Sequence, residues 1–150
     1  MIRCAGLFAL LLLACAAAPV RAAAQAPGAN ASLEEFIQRV SRYWAEADVS
    51  SLLELLPADN LVILDTGSGI ENANSRHAAA ALRALFAESE SVSVRPIRVT
   101  VASTAPARGF GELTWTFRAR GSRGEQSRSV YVAGAVEEDT WRITELRLMP

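Results

Sequence analysis

No lysine occurs anywhere in this chain, and all 15 of its basic residues are arginine. It has a single histidine, His77, and two cysteines, Cys4 and Cys15, both ahead of residue 24. Beyond those cysteines no apolar run approaches the roughly 20 residues that a membrane-spanning helix needs. Each scarcity removes something. A domain with no thiol after its leader has no disulfides, no thiol redox chemistry and no cysteine metal site, and must be held together by its core. The missing lysine, beside abundant alanine, reads as the coding bias of a GC-rich genome and carries no mechanism. Net charge is −1. A nucleic-acid binder would show a dense basic stripe with interleaved aromatics, and that class is set aside. Charge is nevertheless unevenly spread. From Ala31 to Glu90 there are 10 acidic residues and 4 arginines, and from Ser91 onward 9 arginines and 6 acids.

The opening MIRCAGLFALLLLACAAAPVRAAAQA has the form of an export signal: Arg3, an apolar run from Cys4 to Val20, then small residues at Ala22 and Ala24. Cleavage is expected after Ala24, which makes 1–24 a signal peptide and the protein periplasmic or secreted. The competing reading is a lipobox at Leu12-Leu13-Ala14-Cys15, with Cys15 lipidated and anchored at a membrane. Leu13 departs from the small residue usual at that place. Residues 25–31 are expected to be a disordered tether, and 32–150 a single domain.

Ser32 and Glu35 have the S-x-x-E spacing of a capping box, so a helix is expected to start there. Phe36, Ile37, Val40, Trp44 and Ala47 follow at helical spacing as one apolar stripe. Asp48 is placed to cap a second, shorter helix through Leu52, Leu53, Leu55 and Leu56, which Pro57 stops. Leu61 to Leu64 reads as a short buried strand, and Thr66 to Asn74 as a loop. A third helix is expected from Asn74 or Ser75 to about Ala87, with Ala78, Ala79, Leu82, Leu85 and Phe86 inward.

From Ser91 onward the period becomes two. Val92 and Val94 are even, whereas Ile97, Val99 and Val101 are odd, a slip across Arg95-Pro96 that marks a bulge or bend. Leu113, Trp115, Phe117 and Ala119 alternate with polar residues, so that strand has one buried face. Gly121 to Gly124 ends it, a further strand runs from about Ser127 to Val136, and Glu137-Glu138-Asp139 turns the chain into Trp141 to Leu148. The last strand slips phase again between Ile143 and Leu146. The fold class expected is α+β, with a curved antiparallel sheet of about five strands and three helices.

In this order of elements the chain resembles the cone-shaped family of ketosteroid isomerase and nuclear transport factor two, also called SnoaL-like or cystatin-like. The resemblance rests on YWAEADVSSLLELLPADNLVIL and WRITELRL. SRHAAAALRALF with SVYVAGAVEEDTWRITELRL is similar to small secreted bacterial domains of unknown function. The resemblance implies a cone-shaped sheet wrapped round the three helices with a cavity between them, on a scaffold shared by isomerases, dehydratases, ligand binders and structural modules. The isomerase set of an Asp base, a Tyr and a protonated Asp cannot be placed on these residues. Glu112 alternates with the buried positions, and His77 is the single histidine.

Candidate sites divide into weak chemistry and better-supported binding. His77 with Asp65 as orienting partner is outweighed by the reading of a solvated histidine at a helix start. Gly67-Ser68-Gly69 lacks the spacing of a nucleophile elbow. Asp65, Glu71 and His77 lack zinc-helix geometry, and Arg98, Arg118, Arg120 and Arg128 read as the solvated outer sheet face. No catalytic residue, cofactor or metal is assigned. Tyr43, Trp44, Asp65, Trp115, Phe117, Tyr131 and Trp141 are the residues expected to line any cavity, with Tyr131 and Asp65 as polar handles and core packing as the rival role for the tryptophans. The function expected is an exported binding or interaction domain, and the alternative is a small isomerase- or dehydratase-type enzyme using the cone. The partners expected are a small apolar ligand and a second copy. The second copy would meet the outer sheet face at Thr114, Thr116, Arg118, Tyr131, Ala133 and Ala135.

Overall fold

The computed structural model describes residues 28–150, with side chains from Ser32 onward. The expected signal peptide, the lipobox and the first residues of the tether lie outside these. Helix α1 spans Gly28–Ala45, α2 Val49–Glu54 and α3 Ser75–Glu88. The strands are β1 Val62–Asp65, β2 Glu71–Ala73, β3 Ser89–Thr104, β4 Ala107–Ala119, β5 Glu125–Glu137 and β6 Thr140–Met149. They form a six-stranded sheet in the order β2-β1-β6-β5-β4-β3. Most pairings are antiparallel, but β1 runs parallel to β6. The α+β class is as read from the sequence. The sheet is curved and unclosed, and the strand missed is β2, which occupies part of the expected loop.

Curvature comes from bulges at the two places where the apolar phase slips. In β3 the register shifts between Pro96 and Arg98, leaving Ile97 as the extra residue; further shifts fall at Ser91/Ser93 and Val101/Ser103. In β6 the pairing with β5 jumps from Ile143 to Glu145. Each extra residue bends its strand and lets apolar side chains on both sides of it reach one face.

The floor under α1 is glycine. Gly109 and Gly111 on β4 and Gly134 on β5 take inner positions, and Leu33, Ile37 and Phe36 of α1 sit where their side chains would be. A Cβ on Gly111 would lie 2.6 Å from Ile37 Cδ1, and one on Gly134 2.9 Å from Phe36 Cε1. The helix therefore seats against bare backbone at this end, with Leu33, Phe36, Ile37, Val40 and Trp44 all buried. At the other end of β4 the inner positions are Leu113, Trp115 and Phe117, also buried.

Three local expectations need correction. Helix α1 starts at Gly28, so residues 28–31 are its first turn and Ser32 is not its cap. The Ser32 hydroxyl instead accepts from Trp141 Nε1 at 3.1 Å. Ala47 leaves the apolar stripe. It is exposed with φ 53° in the left-handed turn that ends α1, where Asp48 N donates to Tyr43 O and Ala47 N to Trp44 O, a Schellman arrangement. In β1 only Val62 and Leu64 are buried, while Leu61 and Ile63 face solvent, because this strand too has an outer side.

Helix α2 ends at Glu54 with Leu55 as its C-cap, ahead of Pro57 that was expected to stop it, whereas three other terminators are as read. Asp48 caps α2, its carboxylate accepting from Ser51 N at 3.1 Å and Ser51 Oγ at 2.6 Å. Asn74 caps α3 by accepting from His77 N at 3.0 Å. Glu138 and Asp139, at φ 48° and 61°, make the two-residue β5–β6 turn, a pair of positive values matching the type I′ hairpin.

Candidate binding surfaces

Of the residues expected to line a cavity, Trp44, Trp115 and Phe117 are brought together, and they fill the space with one another. Trp115 stacks on Phe117 at 4.2 Å between centroids. Trp44 meets Trp115 edge-on at 5.6 Å, and Phe86 of α3 meets Trp44 at 5.1 Å. Stacked and edge-to-face contacts at these separations are the favourable arrangements of aromatic quadrupoles. Trp115 Nε1 donates to Ser91 Oγ at 2.9 Å, which ties the indole to β3. Trp141 lies apart, stacked on Phe36 at 5.8 Å near the start of α1. Trp44 Nε1 is buried and has no hydrogen-bond partner among the described residues.

The remaining three do not join this cluster. Tyr43 is half-buried on the flank of α1, with the Arg42 guanidinium 5.2 Å from its ring centroid. Asp65 ends β1 and closes its own loop, Oδ1 accepting from Gly67 N at 2.8 Å and Gly69 N at 3.2 Å. Its carboxylate thus organises a turn on the rim. Tyr131 sits between inward Val130 and Val132 and so points outward, correcting the expectation that it faces the interior. His77 is exposed at the start of α3. The four arginines divide: Arg118 pairs with Glu125 at 2.8 Å, Arg98 lies on the edge strand opposite Glu112, Arg128 takes the phase of inward Trp115 beside Gly67, and Arg120 is not on the sheet face but in the turn after β4, its N–H donating to Glu88 O at 2.8 Å.

The outer sheet face carries more than its phase suggested. Thr114, Thr116, Arg118, Tyr131, Ala133 and Ala135 lie there as expected, all half-buried. Reading the sequence missed Phe110 and Arg147, which flank Tyr131. The Phe110 and Tyr131 rings are 5.6 Å apart, and Arg147 stands 5.3 Å over Tyr131. The available signal was an aromatic, Phe110, on the wet phase of β4. Across the strands, register gives one row: Asp65, Arg147, Tyr131, Glu112, Arg98.

Comparison with solved structures assigns the architecture. A family protein from Bacteroides uniformis, DUF4783, superposes with TM-score 0.60 at 14% identity, covering 74% of this chain and 93% of its own. A Catenulispora acidiphila protein with a ketosteroid isomerase-like fold, in complex with trimethylamine, gives 0.61 at 14%, covering 77% and 85%. The fold is NTF2-like. An LEH-like epoxide hydrolase of M. tuberculosis shares it at 0.57 and 17% identity, covering 79% and 82%. No family model matches the chain, and no curated protein matches it in sequence. NTF2-like neighbours thus include proteins of unknown function, a ligand complex and an enzyme, and at these identities they speak to the fold alone. Among the described residues of this NTF2-like chain, no helix is long and apolar enough to cross a membrane.

Proposed function

We propose that this chain is an exported, non-catalytic interaction module that acts as a homodimer through the outer face of its sheet. The carrying observation is the row Asp65–Arg147–Tyr131–Glu112–Arg98. Turned about an in-plane axis along β5, the row meets its own reverse. Tyr131 then faces Tyr131 of a second copy, Arg147 faces Glu112, and Asp65 faces Arg98. A face that complements itself is what an isologous contact requires. Tyr and Arg are enriched in interfaces, and Ala133 and Ala135 leave room for close approach.

The filled interior supports the non-catalytic half of this reading. The aromatics expected to wall a cavity contact each other, and Asp65 and Tyr131, the expected polar handles, stand outside them. An enzyme of the isomerase or dehydratase type needs titratable groups converging in an open apolar pocket. Light scattering of residues 25–150 at about 50 μM, a concentration suited to a micromolar contact, should give a dimer mass, and Tyr131→Glu a monomer mass. A monomeric parent would refute the proposal.

A further inference from the structure

A second surface, which meets the outer-face row only at Arg98, lies outside the cone interior. Between the exposed flank of α1 and the edge strand β3 runs an open groove of about 850 Å³, a volume in the range of small-molecule sites. It continues past Val99 along the backbone to Thr104. Its charges are ordered. Glu34 and Glu35 stand at one end of the helical wall, and Arg39 and Arg42 one to two turns further on. Among the described residues Glu34, Glu35 and Arg39 form no ion pair. The opposite wall is Pro96, Ile97, Arg98 and Val99 of β3, and its apolar surface is led by the bulge residue Ile97, which is 58% exposed.

From this geometry we infer that the groove binds a short apolar peptide with free termini. Two independent lengths agree on its size. From Glu34 to Arg42 is eight helical steps, about 12 Å at 1.5 Å per residue, and an extended tripeptide reaches roughly 10 Å. The regular run of β3 between its bulges, Arg98 to Val101, is likewise a few residues long. Among the described residues β3 is an edge strand with one backbone side unpaired, open to strand addition. The bulges on either side of that run stop longer strands from adding.

Polarity follows as well. Glu34 lies by the Val99–Thr104 part of β3, whereas Ser41 reaches Val94 O, so α1 and β3 run in opposite senses. A peptide with its ammonium at Glu34 and Glu35 and its carboxylate at Arg39 and Arg42 therefore runs antiparallel to β3. Its C-terminal side chain lies beside Ile97 and Pro96, at the bulge that ends the run. Arg98 borders both surfaces, but the groups assigned to the peptide's two ends, Glu34, Glu35, Arg39 and Arg42, take no part in the outer row.

Isothermal titration calorimetry of residues 25–150 with trileucine tests it, beside N-acetyl-trileucine and trileucine amide. Free trileucine should bind with a Kd in the millimolar range or tighter, and each capped form about tenfold or more weakly. Arg39→Ala, Glu35→Ala and Ile97→Asp replace exposed groups, so they should weaken binding by a similar factor with unchanged thermal melts. No binding of free trileucine overturns the inference, as does equal binding of either capped peptide. A monomer mass in light scattering would sink the dimer and leave this result standing.

Discussion

Replacing Gly111 by alanine adds one methyl group at the place where α1 sits closest to the sheet. The new Cβ would lie 2.6 Å from Ile37 Cδ1 and 2.8 Å from both Cγ1 and Cγ2, far inside contact distance. Ile37 is fully buried, so no rotamer swings it into solvent, and relief requires α1 to lift. Overpacking of this kind costs about 1–3 kcal/mol. The opposing gain, from a stiffer unfolded chain, is about 0.4–1 kcal/mol, so the sign of the net effect is itself diagnostic. At roughly 4 °C per kcal/mol for a domain of this size, Gly111→Ala should melt up to about 10 °C below the parent by circular dichroism. Ile37→Val removes the nearest carbon. Alone it should cost about 0.5–1.5 kcal/mol, but combined with Gly111→Ala the loss should be smaller than the sum. A Gly111→Ala protein that melts at or above the parent would refute the seating of α1 on β4.

Trp115→Ala should cost roughly 3–5 kcal/mol, a large share of the roughly 5–15 available to a domain, and denaturant unfolding would show it as a much lower midpoint. Ala47→Gly should stabilise by up to about 1 kcal/mol, because φ 53° is strained for a residue with a Cβ; a lower melting temperature would contradict the αL turn. Hydrogen bonds from the Ser51 hydroxyl first, then from the Ser51 amide, hold the Asp48 carboxyl below its usual pKa. A depressed folded pKa contributes stability above the unfolded value, which is lost as pH falls through the folded one. Asp48→Asn should therefore flatten the acid side of the stability–pH curve, and an unchanged acid limb would count against the cap.

Much of the fold was legible because β4 and β5 alternate cleanly, and because the slips at Arg95-Pro96 and past Ile143 record bulges directly in the apolar phase, although the β3 residues Val92 and Ile97, read as apolar-phase positions, are exposed. What stayed hidden depends on distant partners. Ser32 looks like a cap because its use, accepting from Trp141 109 positions along the chain, leaves no local mark. Strand β2 is the three residues Glu71-Asn72-Ala73, too short to show a period. Leu61 and Ile63 hid the alternation of β1, since an apolar side chain on the wet face reads as buried. At the site level the phase of β4 brought Trp115 and Phe117 inward correctly, but whether buried aromatics wall a void or touch each other is a matter of packing. Phase alone also puts Tyr131 outside with Ala133 and Ala135. The α1–β3 groove needed the curl of the sheet before its charges could be seen to face Ile97.

The proposed axis along β5 is tested most directly by exchanging charge across it. Glu112→Arg would place arginine opposite Arg147 of the other copy, and Arg147→Glu would place glutamate opposite Glu112. In sedimentation velocity each variant alone should run as a monomer. Mixed in equal amounts, the two should recover a dimer, because every repelling pair then becomes an attracting one. A mixture that stays monomeric while the parent is dimeric would contradict this interface, and a monomeric parent would contradict the dimer itself.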